Sequence, residues 1–181
     1  MEWPIAQIEW QGDRVKGIKP DYILPVEPLP EWEHGRKALL MADLWEQLQD
    51  DRPPGVLWID HDVASDPDDL AAMVEATSRW PDAMHTGMVK LWPASTQLPD
   101  WIWSHRGGIL DYPVASQDES VPIAYVATGF LWTPARLLDL TRPVMRLWRW
   151  EQVDVGLSEL AWLHDITING VRACRPKHLH F

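Results

Sequence analysis

Cysteine is nearly missing from this chain. Cys174 stands alone, which excludes an intramolecular disulfide framework and a thiolate cluster for zinc, and fits a reducing, cytoplasmic setting. Long apolar runs are missing as well: no stretch approaches a membrane span. The opening residues, with Glu2, Glu9 and Asp13 among them, lack the apolar core of a signal peptide, so neither insertion nor export is expected. Positive charge is scarce, with 16 Lys and Arg against 27 Asp and Glu and a formal net charge of -11. A field of that sign repels polyanions, so stable non-specific binding to nucleic acid is not expected. It does suit a protein that draws an anionic substrate through a bound cation.

What is present is enough for one core. The 181 residues are 46% hydrophobic and include 13 tryptophans, and no linker or repeat divides them, so a single domain over residues 1–181 is expected. Alternation over Ile5–Trp10 predicts a strand, with a turn at Gly12 and Asp13. The proline-rich stretch from Pro20 to Pro30 excludes a regular helix and leaves a loop or an extended edge. Apolar residues at helical spacing between Glu31 and Gln49 predict an amphipathic helix. After the break at 50–55, Val56-Leu57-Trp58-Ile59 reads as a strand buried on both faces. A helix over 66–80 follows, with Ser65 as its cap, Pro67 in its first turn and Asp68 three residues beyond the cap. Further extended segments are expected at 84–92 and 121–132, an irregular stretch between Pro93 and Pro122, and a short helix from Thr133-Pro134 to Leu140. A last helix over 155–168 is expected to stop at Asn169-Gly170, ahead of a strand at 171–174. Strands alternating with helices make this an α/β sheet protein.

Chemistry concentrates where the buried strand ends, at Asp60-His61-Asp62. Ligands of open α/β sheets sit beyond the carboxyl ends of the strands. Two carboxylates one residue apart there can aim at a common Mn2+ or Mg2+ ion, which in turn bridges phosphates. The competing reading is that either aspartate merely turns the chain or caps the next helix.

Val56 to Val63 resembles the strand and D-x-D motif of GT-A glycosyltransferases, and Pro67-Asp68-Asp69-Leu70 is similar to the helix start that follows it. A second likeness lies near the C-terminus: Ser158-Glu159, Gly170, Pro176 and His178 or His180 stand where many inverting members carry a Glu-Asp pair, a Gly, a Pro and a His. The resemblance implies a Rossmann-like mixed sheet flanked by helices and shortened at the N-terminus, as in the minimal versions that bacteriophages encode. It implies Asp60 and Asp62 on the metal, joined by His180 or His178, and Glu159 as general base, with Asp154 as the second candidate. It also implies donor contacts from Arg36, in Gly35-Arg36-Lys37-Ala38, from Asp60 and from Gly129, in Thr128-Gly129-Phe130. Trp101, Trp103, His105 and Gly107-Gly108 are candidates for the acceptor side. The implied partners are a nucleotide-sugar donor and an acceptor that is a protein, a glycan or a modified DNA base. Two other functions compete: a metal-dependent phosphohydrolase or nuclease built on Asp60, Asp62, His61, Asp66 and the terminal histidines, and a sugar-nucleotide-binding module without turnover.

Overall fold

A computed structural model describes residues 3–10, 18–26, 36–87, 89–90, 101–102, 120–126, 128–148 and 153–178. Its centre is a seven-stranded mixed sheet in the order β2-β1-β3-β9-β5-β10-β8. The strands are β1 (Ile5–Trp10), β2 (Tyr22–Val26), β3 (Gly55–Ile59), β5 (Met84–Gly87), β8 (Ser120–Pro122), β9 (Phe130–Pro134) and β10 (Ile168–Val171). Strands β2, β1 and β3 run parallel, as do β5 and β10, while β9 lies antiparallel between β3 and β5. Two small ribbons pair β4 (Val63–Ala64) with β11 (Lys177–His178) and β6 (Val89–Lys90) with β7 (Trp101–Ile102).

The apolar run of β3 is buried along its whole length because both faces of the sheet are covered. Val56 and Trp58 join one cluster with α1 (Arg36–Gln47), α3 (Ala135–Met145) and α4 (Val153–Leu163). Leu57 and Ile59 join the other, under α2 (Pro67–Arg79). Each such side chain removed from water contributes about 1.5–3 kcal/mol. The polar edge of Trp58 is satisfied too: its Nε1 donates to Thr133 Oγ1 at 3.1 Å. Gly55 opens the strand where β9 leaves no room for a side chain, since a Cβ there would stand 2.4 Å from the Thr133 carbonyl oxygen.

The proline-rich stretch supplies β2, a strand at the sheet edge, where Pro25 is tolerated. Residues 11–17 and 27–35, with the expected turn at Gly12 and Asp13, lie outside the described residues.

Several sequence expectations need correction, among them the extended segment over 121–132, which is two separate strands, β8 ending at Pro122 and β9 starting at Phe130. The cap of α2 is Asp66 rather than Ser65: its side chain accepts from the Asp68 and Asp69 N–H groups, while Asp69 reaches back to the Asp66 N–H. The capping box is therefore intact but one residue later, with Pro67 at the first helical position. Helix α3 runs past Leu140 to Met145, because Thr141 and Met145 continue the buried stripe begun by Leu137 and Leu138.

Helix α4 covers 153–163, not 155–168, and Asn169-Gly170 lies inside β10 instead of capping it. The left-handed residue is Asp165, with φ of 54°. Around it the Asp165 N–H bonds to the Trp162 carbonyl and the Ile166 N–H to the Ala161 carbonyl, the pair of bonds of a Schellman motif. The strand expected at 171–174 correspondingly ends at Val171.

Candidate functional site

Three segments converge at the carboxyl edge of β3. Helix α1 follows the parallel strand β2 and returns toward the start of β3, so its N-terminus stands at this edge. Strand β9 runs the other way, so its entry, Thr128-Gly129, stands there too, with Phe130 paired to Ile59. The Asp60 N–H donates to the Gly129 carbonyl at 3.0 Å, extending the ladder by one residue and fixing where the Asp60 carboxylate begins.

That carboxylate meets a side chain the sequence reading passed over. Lys37 Nζ donates to Asp60 Oδ1 at 2.5 Å and to Thr128 Oγ1 at 2.9 Å. The two charged side chains are 12% and 20% exposed, so the pair sits at the mouth of the edge, neither free in solvent nor sealed in the core. The signal for Lys37 lay in its helical phase: it precedes the fully buried Met41 and Trp45 by four and eight residues, which aims its stem at the sheet. For Arg36, the expected donor contact, only the backbone at the start of α1 is described.

Asp62 lies in the turn after β3, closed by the Val63 N–H donating to the Asp60 carbonyl. Its side chain is 13% exposed, with Oδ1 4.0 Å from His61 Nδ1. Next to it, β11 lies antiparallel on β4, placing His178 opposite Val63, the residue after Asp62. His180 falls outside the described residues. Among the described residues no group of three or more His, Cys, Asp or Glu side chains is arranged to hold a metal ion.

The C-terminal segment is tied down by Asp69. Its Oδ1 accepts the Arg175 N–H at 2.6 Å and its Oδ2 the Asp66 N–H at 3.0 Å. Burial, the dominant influence, holds the Asp69 carboxyl above its usual range despite these two bonds. Cys174, next in the chain to Arg175, has its thiol pushed up by burial and by Asp69 and Asp66, so it is an unreactive core residue.

Asp154 and Glu159 share α4. Asp154 lies in the first turn, half-buried, and its Oδ1 accepts the Val155 N–H at 3.0 Å. Glu159 is exposed and stands about 7.5 Å further along the axis. The serine beside it is fully buried: Ser158 Oγ donates to the Asp154 carbonyl at 2.6 Å and accepts from the Val126 N–H. The site therefore brings together Asp60, Gly129, Thr128 and Lys37, with Asp62 and the backbone of His178 alongside. Trp103, His105 and Gly107-Gly108 fall outside the described residues, and of Trp101 only the backbone, in β7, is described.

No protein-family model matches this sequence, and no curated protein is significantly similar to it. Among solved structures it is similar to A197 from STIV, with a TM-score of 0.62 at 13% identity over 98% of this chain and 86% of that one. A glycosyltransferase involved in the glycosylation of the major capsid of PBCV-1 aligns with a TM-score of 0.41 at 17% identity, over 80% of this chain and 66% of that one. The first likeness shows the fold alone, a Rossmann-like mixed sheet flanked by helices.

Proposed function

We propose that this chain transfers a sugar from a nucleotide-diphosphate donor to an acceptor hydroxyl, with the donor diphosphate at the Asp60–Asp62 edge. The observation that carries this reading is the position of Asp60: at the carboxyl end of a doubly covered strand, in a Rossmann-like mixed sheet, facing Lys37, Thr128 and Gly129. Asp60 is held for this place by its backbone bond to Gly129, and Asp62 follows on the same turn.

Two carboxylates one residue apart suit an ion that they hold jointly with phosphates, as Mg2+ and Mn2+ usually are. Asp60 and Asp62 would hold it, with His178 or His180 as a further ligand; the β4–β11 pairing sets the backbone of His178 opposite Val63. When bound, such an ion stabilises the charge that develops on the departing diphosphate. Arg36 is a further donor contact, and Glu159 accepts the acceptor's proton as its oxygen attacks the anomeric carbon, which inverts the configuration. Asp154 is the alternative base. The acceptor is a protein, a glycan or a modified DNA base, and the reaction is placed in the cytoplasm. Among the described residues no helix is long and apolar enough to cross a membrane. The two-metal hydrolase is the weaker reading because Asp66, one of its candidate ligands, is engaged in capping α2.

The test is thermal stability against a panel of sugar nucleotides with and without Mn2+, since a ligand that binds only the native state raises the melting temperature. One donor is expected to give a metal-dependent rise that Asp62→Ala abolishes. No rise with any donor overturns the reading.

A further inference from the structure

The geometry points to Lys37 as a resident cation of this site, one that lets it capture a diphosphate before any divalent ion is bound. This rests on reading the edge as a diphosphate site, yet it is tested without a sugar.

An ammonium group has three N–H donors. Asp60 Oδ1 and Thr128 Oγ1 engage two of them, and the third has no partner among the described residues. Asp60 likewise has one oxygen engaged, so the pair is locked in place and still half available. Withdrawing both charges from water to 12% and 20% exposure carries a desolvation cost, and an apolar pair would fill the same space without it. The arrangement has a use at a ligand edge, where a dianion can add to a positioned ammonium. Three features favour that ligand. The chain's net charge of -11 repels anions at long range, so a local cation favours their capture. The N-terminus of the twelve-residue helix α1, the positive end of its dipole, stands at this edge. Thr128 and Asp60 hold the ammonium from two directions, so little of the side chain's freedom remains to be lost on binding.

The same pairing acts against a metal ion arriving first. A divalent cation approaching Asp60 meets a carboxylate already neutralised by Lys37, whereas one arriving after the diphosphate finds phosphate oxygens beside Asp62. Anion first and metal second is the order this predicts, with metal strengthening capture rather than creating it.

The experiment is calorimetric titration of the full chain with inorganic pyrophosphate in EDTA, and separately with Mn2+ alone. Wild type is expected to bind pyrophosphate in EDTA, Lys37→Met to lose at least about tenfold in affinity, and Lys37→Arg to stay within about threefold. For Mn2+ alone the direction reverses: Lys37→Met is expected to bind it more tightly than wild type, a gain that mere damage to the fold does not produce. A measurement on the unaltered protein stands beside these: the 15Nζ resonance of Lys37 is expected to shift when pyrophosphate is added in EDTA. No pyrophosphate binding without metal, an unchanged resonance, or equal affinity in wild type and Lys37→Met overturns the inference. Loss in Arg36→Met but not in Lys37→Met also overturns it and moves the anion contact to Arg36. Pyrophosphate bound through Lys37 while no sugar nucleotide is consumed leaves the inference standing and removes the glycosyltransferase reading. Sugar-nucleotide turnover with an unchanged KM in Lys37→Met does the reverse.

Discussion

Asp60 and Asp69 are two aspartates withdrawn from water a short distance apart in the chain, and their partners differ in kind. Both oxygens of Asp69 accept backbone N–H groups, from Asp66 and Arg175. Asp60 has one oxygen engaged, by the ammonium of Lys37. A backbone donor cannot leave without local unfolding, whereas an ammonium on a four-carbon stem can share itself with an arriving anion. The same residue type thus fastens two backbone segments in one place and pairs with a single side-chain ammonium in the other.

Substitution separates the two roles. Asp69→Ala is expected to cost about 3 kcal/mol, because it strands two backbone donors at a buried position, while Lys37→Met costs about 1 kcal/mol or less at the partly hydrated mouth. Urea unfolding measures both, and equal losses would erase the distinction. Asp66→Ala removes the cap itself and is expected to cost about 1 kcal/mol. Ser65→Ala should change stability by no more than about 0.5 kcal/mol, and the reverse ranking would return the cap to Ser65.

The finest test is pH. Burial raises the Asp69 carboxyl above its ordinary value of 3.8, so the folded chain holds a proton there that the unfolded chain has already released. The stabilisation linked to that proton is complete below 3.8 and is lost as pH rises through the folded value. Asp69→Asn abolishes the titration. Wild type should therefore gain on that variant as pH falls through this window and run parallel to it above, as read from urea midpoints; no relative gain on acidification would put Asp69 at an ordinary value.

Strand β3 and the strand-end position of Asp60 followed from an unbroken apolar run and the turn after it, because a strand covered on both faces has no alternative pattern. Helix α2 followed from Pro67 and a nearby carboxylate, although Ser65, Asp66, Asp68 and Asp69 offered more than one cap and three-dimensional hydrogen bonding chose among them. The end of α4 was misplaced because Asn169-Gly170 is the stronger local stop signal. Pairing with β5 and β8 claims those residues for a strand, and Asp165 takes the left-handed turn. Lys37 was missed for a different reason. Arg36 has the chemistry expected of a phosphate contact, while the inward phase of Lys37 gains meaning only once Asp60 and Thr128, the latter 91 residues away, are known to face it.

The bond from Arg175 to Asp69 spans 106 residues, and the β4–β11 ribbon beside it joins segments equally remote. Contacts of that span form late, because the loop they close must be ordered first. On the ribosome, β3 and Asp60 emerge long before residues 175–178 exist. The nascent chain therefore carries its acidic edge without the strand that flanks Asp62 until those residues are made, and the edge is completed in time as well as in space.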